Sequence, residues 1–166
     1  MTTSQAVASK QFLTFNLGED IFGVEVMQVR EILDYTSITR VPQTPEFMLG
    51  VINLRGRVVP VVDLRAKFGL PPTEKTRDTC IIVMEIEIEG ESTILGAVAD
   101  SVQEVMDLNE DQIEPPPRIG TRLKTEFIYG MGKREDEFII LLDIDRIFSV
   151  GELELVQEVT EKTANG

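Results

Sequence analysis

The chain has no histidine, no tryptophan, one cysteine and two tyrosines among 166 residues. Without histidine it lacks the side chain that titrates unaided near neutral pH and the commonest metal ligand. No Ser/His/Asp or Cys/His nucleophile pair can form. The lone Cys80 excludes an internal disulfide and fits a reducing cytoplasm. Positive charge is also scarce: 16 Lys and Arg stand against 29 Asp and Glu, a formal net charge of −13. A nucleic-acid partner needs a basic face to release phosphate counterions, so the balance argues against one, and against anionic membrane surfaces. Apolar runs such as FIILL and ILGAVA fall far short of the roughly 20 residues that span a bilayer, so no membrane insertion is expected. The polar start MTTSQAVASKQ lacks the apolar core of a signal peptide, and neither common glycine-rich phosphate loop occurs. Abundant carboxylates leave a carboxylate-pair hydrolase open, but the lack of tryptophan weighs against its sugar-stacking platform. The expectation is a non-enzyme with no catalytic residues, metal ligands or cofactors.

What is present is written twice. IFGVEVMQVREIL (21–33) lies over ILGAVADSVQEVM (94–106) at an offset of 73, matching Ile21/Ile94, Gly23/Gly96, Val29/Val102 and Glu31/Glu104. EFMLGVINLRGRVVPVVDLRAKF (46–68) lies over EFIYGMGKREDEFIILLDIDRIF (126–148) at an offset of 80. It matches Glu46/Glu126, Phe47/Phe127, Gly50/Gly130, Asp63/Asp143 and Phe68/Phe148. Two ungapped blocks in the same order mark an internal duplication. Repeat one covers about 12–68 and repeat two about 81–148.

Each repeat reads as strand. FLTFNLGEDIFGVEV alternates and turns at Gly18, a hairpin, and CIIVMEIEIEGESTILGAVA repeats the idea with its turn near Gly90. RVVPVVDL and EFIILLDI are apolar on both faces. Pro60 cannot donate to a ladder and places its strand at an edge or bulge. Val26, Val29 and Leu33 have helical spacing, and the segments after Asp63 and Asp143 turn helically, each aspartate suited to cap the turn. LPPTEKTRD (70–78) is a linker. Two sets of short strands imply two small barrels, since closure removes sheet edges.

Asn53-Leu54-Arg55-Gly56-Arg57 is good hairpin chemistry on its own. Yet repeat two keeps Phe127, Gly130 and Asp143 while replacing this turn with Lys133-Arg134-Glu135-Asp136. A turn needed only for closure could have stayed similar, so Arg55 reads as functional, its planar fork suited to a carboxylate. Glu31 and Glu104 read as outward-facing. Gly50 and Gly130 mark positive φ or close backbone approach. One or more of Val29, Ile32 and one or more of Val102, Val105 should reach the surface. PPPR (115–118) reads as a stiff spacer.

GVINLRGRVVPVVDLRxxF resembles the signature of the CheW family, the coupling proteins of bacterial chemotaxis. FLTFNLGEDIFGVEVMQVREIL, LGAVADSVQEVM and IEPPP are similar to its other elements, so the resemblance covers about 11–150. It implies an all-β fold of two intertwined SH3-like five-stranded β-barrels with short helical turns. Residues 1–10 would be a flexible N-terminus and 151–166 a tail with a short helix. The implied function is an adaptor joining the cytoplasmic tips of methyl-accepting chemoreceptors to the histidine kinase CheA. Other copies of the coupler are further partners, and the location is cytoplasmic, peripheral to receptor arrays. Receptor contacts map to Val29, Ile32, Gly50, Asn53, Arg55, Val102 and Val105. Kinase contacts map to Glu31, Val41, Arg118 and Ile119, where Arg118 departs in sign from the family's acidic residue. A paralogous coupler of pilus motility or a second-messenger pathway would carry the same features.

Overall fold

The computed structural model describes residues 9–72, 74–88, 90–115, 125–149, 151, 152, 154, 155 and 158. Its strands are β1 (Ser9–Leu17), β2 (Asp20–Glu25), β3 (Val29–Asp34), β4 (Met48–Leu54), β5 (Arg57–Val62), β6 (Cys80–Ile88), β7 (Glu91–Ala99), β8 (Ser101–Asn109), β9 (Ile128–Arg134) and β10 (Glu137–Leu142). Two short helices, α1 (Leu64–Phe68) and α2 (Ile144–Ile147), follow β5 and β10. The strands form two five-stranded sheets, ordered β8-β1-β2-β10-β9 and β3-β6-β7-β5-β4. Within each sheet one central pair is parallel, β2 with β10 and β5 with β7, and the rest are antiparallel.

The mostly-β expectation holds, and the duplication is visible: replacing β1–β5 by β6–β10 turns one sheet order into the other. The sheets do not follow the repeat boundary, however. Each takes a hairpin from one repeat (β1–β2 or β6–β7) and three strands from the other. The cause is local. β2 is already flanked by β1 and β10, and only the 3₁₀ turn Val26–Gln28 separates it from β3. The chain therefore crosses to the neighbouring sheet, and after β7 it does the same through Asp100.

Burial divides accordingly into three cores. Phe12, Ile21, Leu108, Ile139 and Leu141 fill the first sheet, and Ile52, Val59, Val61, Ile81, Val83 and Val98 fill the second. A larger shared core, including Leu13, Phe15, Phe22, Val62, Leu64, Phe68, Ile82, Met84 and Phe148, lies between them. Polar pins fix the same junction. Arg65, buried on α1, bonds Asp100, which also accepts from Gly18 N at 2.6 Å. Asp145 on α2 accepts from Gln28 Nε2 at 3.0 Å and Glu87 N at 2.9 Å.

Three local expectations change. The helical spacing of Val26, Val29 and Leu33 is realised only as the 3₁₀ turn, because β-branched Val29 and Ile32 pair with β6 instead. β5 is an inner strand, not an edge, but its pairing with β7 begins at Val61, so Pro60 lies outside that ladder. Asp63 caps α1 by accepting from Arg65 N at 3.0 Å, whereas Asp143 makes no side-chain cap to α2.

Candidate functional site

The third strand of each repeat, β3 and β8, borders the shared core. Side chains opposite each other in an antiparallel pair share a face. Val29 pairs with Met84 and Ile32 with Ile82, while Val102 pairs with Phe15 and Val105 with Leu13. All four partners belong to the shared core, so all four predicted residues lie on the faces the sheets turn towards each other. Val29 and Val102 are half-buried and pack on that core. Ile32 is 45% exposed and Val105 49%. The duplication thus sets apolar surface at equivalent positions on two strands, each beside a half-buried valine.

Both strands also carry a β-bulge at the same place. β3 inserts Arg30 between Val29 and Glu31, and β8 inserts one residue between Val102 and Val105. Buried Thr14 serves the second bulge: its hydroxyl donates to Glu104 O at 2.7 Å and accepts from Glu104 N at 3.1 Å.

Each sheet curls until the chain beyond one edge strand reaches the other edge strand. At one end the closure is a single bridge of two backbone bonds, Thr39 with Val51 and, in the other repeat, Glu114 with Met131. Gly50 and Gly130 precede Val51 and Met131. A Cβ on Gly50, at φ +148, would lie 2.1 Å from Thr39 O, and one on Gly130 would lie 2.4 Å from Ile113 Cγ2. Gly50 is therefore buried by close backbone approach. At the other end an ion pair clasps the edges. Arg55, at the β4–β5 tip, donates both guanidinium arms to the Glu31 carboxylate on β3. Arg134, ending β9, makes the matching clasp with one arm on the Glu104 carboxylate of β8 and the other on Gln103 Oε1 at 2.6 Å.

The Arg55 tip is a two-residue turn with positive φ at Arg55 (51°) and Gly56 (84°), the twist that suits a hairpin. Asn53 Oδ1 accepts from Gly56 N at 2.8 Å and closes it. Below the tip lies a cleft of about 280 Å³, floored by Leu54, Val59, Val83 and Ile94 and rimmed by Arg30, Glu31, Arg55 and Arg57. Glu31 holds the Arg55 guanidinium above its ordinary value, and Arg30 holds the Glu85 carboxyl below its own. Arg55 remains 71% exposed, so its clasp is open to a competing carboxylate.

Of the expected kinase residues, Glu31 is thus in contact with Arg55, a residue assigned to the other partner. Val41 is half-buried against the shared core and lines a hollow of about 520 Å³ with Arg40, Pro42 and Leu49. Arg118 and Ile119 lie outside the described residues. Sequence reasoning missed Phe138, 53% exposed on β10, and Met27, 98% exposed on the 3₁₀ turn. EFIILL looks uniformly buried, so nothing in it signals that Phe138 lies past the end of the core. Burial pushes the Asp143 carboxyl up, with Arg146 pulling the other way, but Asp143 lines none of these hollows. Among the described residues no cluster of three or more potential metal ligands occurs.

Comparison with known proteins adds a family. The model of a family described as the CheW-like domain matches residues 11–152. The chemotaxis protein CheW of Klebsiella aerogenes is 36% identical over 152 residues, spanning 92% of this chain and 89% of that protein. The probable chemotaxis protein CheW of Rhizobium etli is 34% identical, spanning 87% and 91%. The crystal structure of the scaffolding protein TtCheW from Thermoanaerobacter tengcongensis superposes with a TM-score of 0.78 at 36% identity, covering 92% of this chain and 96% of that one.

Proposed function

The chain belongs to the CheW family, and we propose from this that it is a non-enzymatic adaptor coupling methyl-accepting chemotaxis receptors to the histidine kinase CheA. The observation that carries the docking role is the paired apolar surface of Ile32 and Val105, set beside Val29 and Val102 along the junction of the sheets. Surface of this kind at equivalent points of a duplicated fold suits one helical hairpin lying between them. Arg55 and Asn53 would meet the polar flank of the receptor tip, and Arg55 would exchange some of its bond to Glu31 for a receptor carboxylate. The kinase regulatory domain would use the barrel ends, near Glu31, Val41, Arg118 and Ile119. The protein would work in the cytoplasm, at receptor arrays, through protein contacts alone. Among the described residues no helix is long and apolar enough to cross a membrane. Each contact would be micromolar, about 8 kcal/mol, with an array adding avidity.

The test is co-sedimentation with receptor fragments and kinase, reading kinase activity with and without the protein. Ile32→Asp, Val105→Asp and Arg55→Glu are each expected to weaken receptor capture tenfold or more. Their melting temperatures should stay within a few degrees of the unaltered protein, because all three side chains are exposed. Capture and kinase activation at unaltered levels in all three variants would remove the junction as the receptor site.

A further inference from the structure

Lys67 is a cation inside a ring of phenyl groups. Its Nζ lies 5.2 Å from the centroid of Phe47, 5.7 Å from Phe148 and 6.0 Å from Phe127, and only 16% of its side chain reaches solvent. Phe47 and Phe127 are equivalent residues of the two repeats, and Phe148 is the equivalent of Phe68, so the cage stands where the repeats meet. Ring faces attract an ammonium, but a cation this far from water still requires a carboxylate.

Glu152 provides it, bonding Lys67 Nζ with one oxygen. Its other oxygen accepts from Ser149 N at 2.9 Å, and Glu152 N donates to Ser149 Oγ at 3.1 Å. This reciprocal pair starts a helical turn at residues 151 and 152, so the first residues of the tail are wired directly to the cage.

The duplication shows that the fold does not require a lysine there. An offset of 80 sets Ile147 at the matching position of α2, and it is buried at 1%. An apolar side chain therefore fills the equivalent place. What the lysine adds is a hold on Glu152.

We propose that Lys67 and Glu152 form a latch that holds Glu152, and the turn it caps with Ser149, against the junction of the two sheets. With the latch closed, the cage is filled and Glu152 is held between Lys67 and Ser149. With it open, the ammonium moves to water and Phe47, Phe127 and Phe148 lose their cover. This device is independent of which partners the adaptor binds.

Hydrogen exchange on the full chain, read by mass spectrometry, tests it with Lys67→Ile and Glu152→Gln. Both should speed exchange in the peptide after Ser149 tenfold or more and leave β1 and β6 unchanged. Lys67→Ile should melt no lower than the unaltered protein, because it copies Ile147. Glu152→Gln should melt lower, because it leaves the ammonium without its carboxylate. Restored melting in the double variant Lys67→Ile/Glu152→Gln would support the latch further. Unaltered exchange after Ser149 in Glu152→Gln would overturn the proposal. So would a Lys67→Ile chain that fails to fold, since Lys67 would then belong to the core and not to a strap.

Discussion

A single hydrogen atom decides what Gly50 can do. Its φ of +148° and the 2.1 Å that would separate a Cβ from Thr39 O leave no room for any side chain, and the obstacle is backbone. Gly50→Ala is expected to destabilise by about 3 kcal/mol or more, combining strain with the lost Thr39–Val51 bridge. In a chain of this length that lowers the melting temperature by roughly 6–12 °C, measurable by circular dichroism. An unchanged melt would refute the close approach. Gly50→Ala would also reduce receptor capture, but through the fold, whereas Arg55→Glu should reduce it with the fold intact. Gly50 was legible as special because it recurs in the duplication, but the non-recurrence that singled out Arg55 is only apparent: Arg134, one position earlier in its own turn, clasps Glu104 as Arg55 clasps Glu31. The partner of Arg55 was not legible. Glu31 looks like an ordinary outward glutamate until the sheet curls and brings β3 to the β4–β5 tip. Lys67 was missed for a related reason: a lysine in a short helix after a strand normally faces water, and only the meeting of three distant phenylalanines makes it a half-buried cation.

Elements were legible wherever a side-chain period or a turn residue spoke locally. The β1–β2 and β6–β7 hairpins follow from alternation and glycine, and α1 from its capping Asp63, while α2 forms in the matching place without a side-chain cap from Asp143. Bulges were not, because an extra residue in one strand is defined only against its partner. The β8 bulge shows how much chemistry that hides. Thr14 is fully buried, and its single hydroxyl satisfies both the amide and the carbonyl of Glu104. Thr14→Val preserves shape but leaves both backbone groups without that hydroxyl. The expected loss is about 1–3 kcal/mol. It should be accompanied by faster amide exchange at Glu104, by NMR, than at Val105. Equal exchange at the two residues, or an unchanged melt, would mean that water replaces the hydroxyl and that Thr14 does not hold the bulge. Because this bulge separates Val102 from Val105, Thr14→Val also tests whether the junction stripe depends on the backbone beneath it.

At the scale of the molecule the duplication and the architecture part company. Periodicity revealed two copies of one pattern, but a strand reads the same whether it pairs within its repeat or with the other one. Exchange was therefore invisible to periodicity, and only the family resemblance implied intertwined barrels; it has a consequence that separate side-by-side barrels would not share. Repeat one alone carries β1 and β2 without β8, β9 or β10, and β3, β4 and β5 without β6 or β7. Neither half can complete a sheet by itself, and the shared core, which draws on both, would be exposed. Division of the chain in the linker at residues 74–76 should leave each fragment unfolded as a monomer, with no cooperative melt and no near-ultraviolet dichroism. Mixing the fragments should restore both, because the four strand pairs that cross the repeats, the Arg65–Asp100 and Asp145–Gln28 pins and the latch can re-form between chains. The near symmetry of the repeats permits a second result, a dimer of one fragment in which two copies exchange hairpins, visible by sedimentation as twice the fragment mass. Either result follows from exchange. A fragment that melts cooperatively as a monomer would show that one repeat closes its own sheet, and the crossed pairing of β3 with β6 and of β1 with β8 would have to be abandoned.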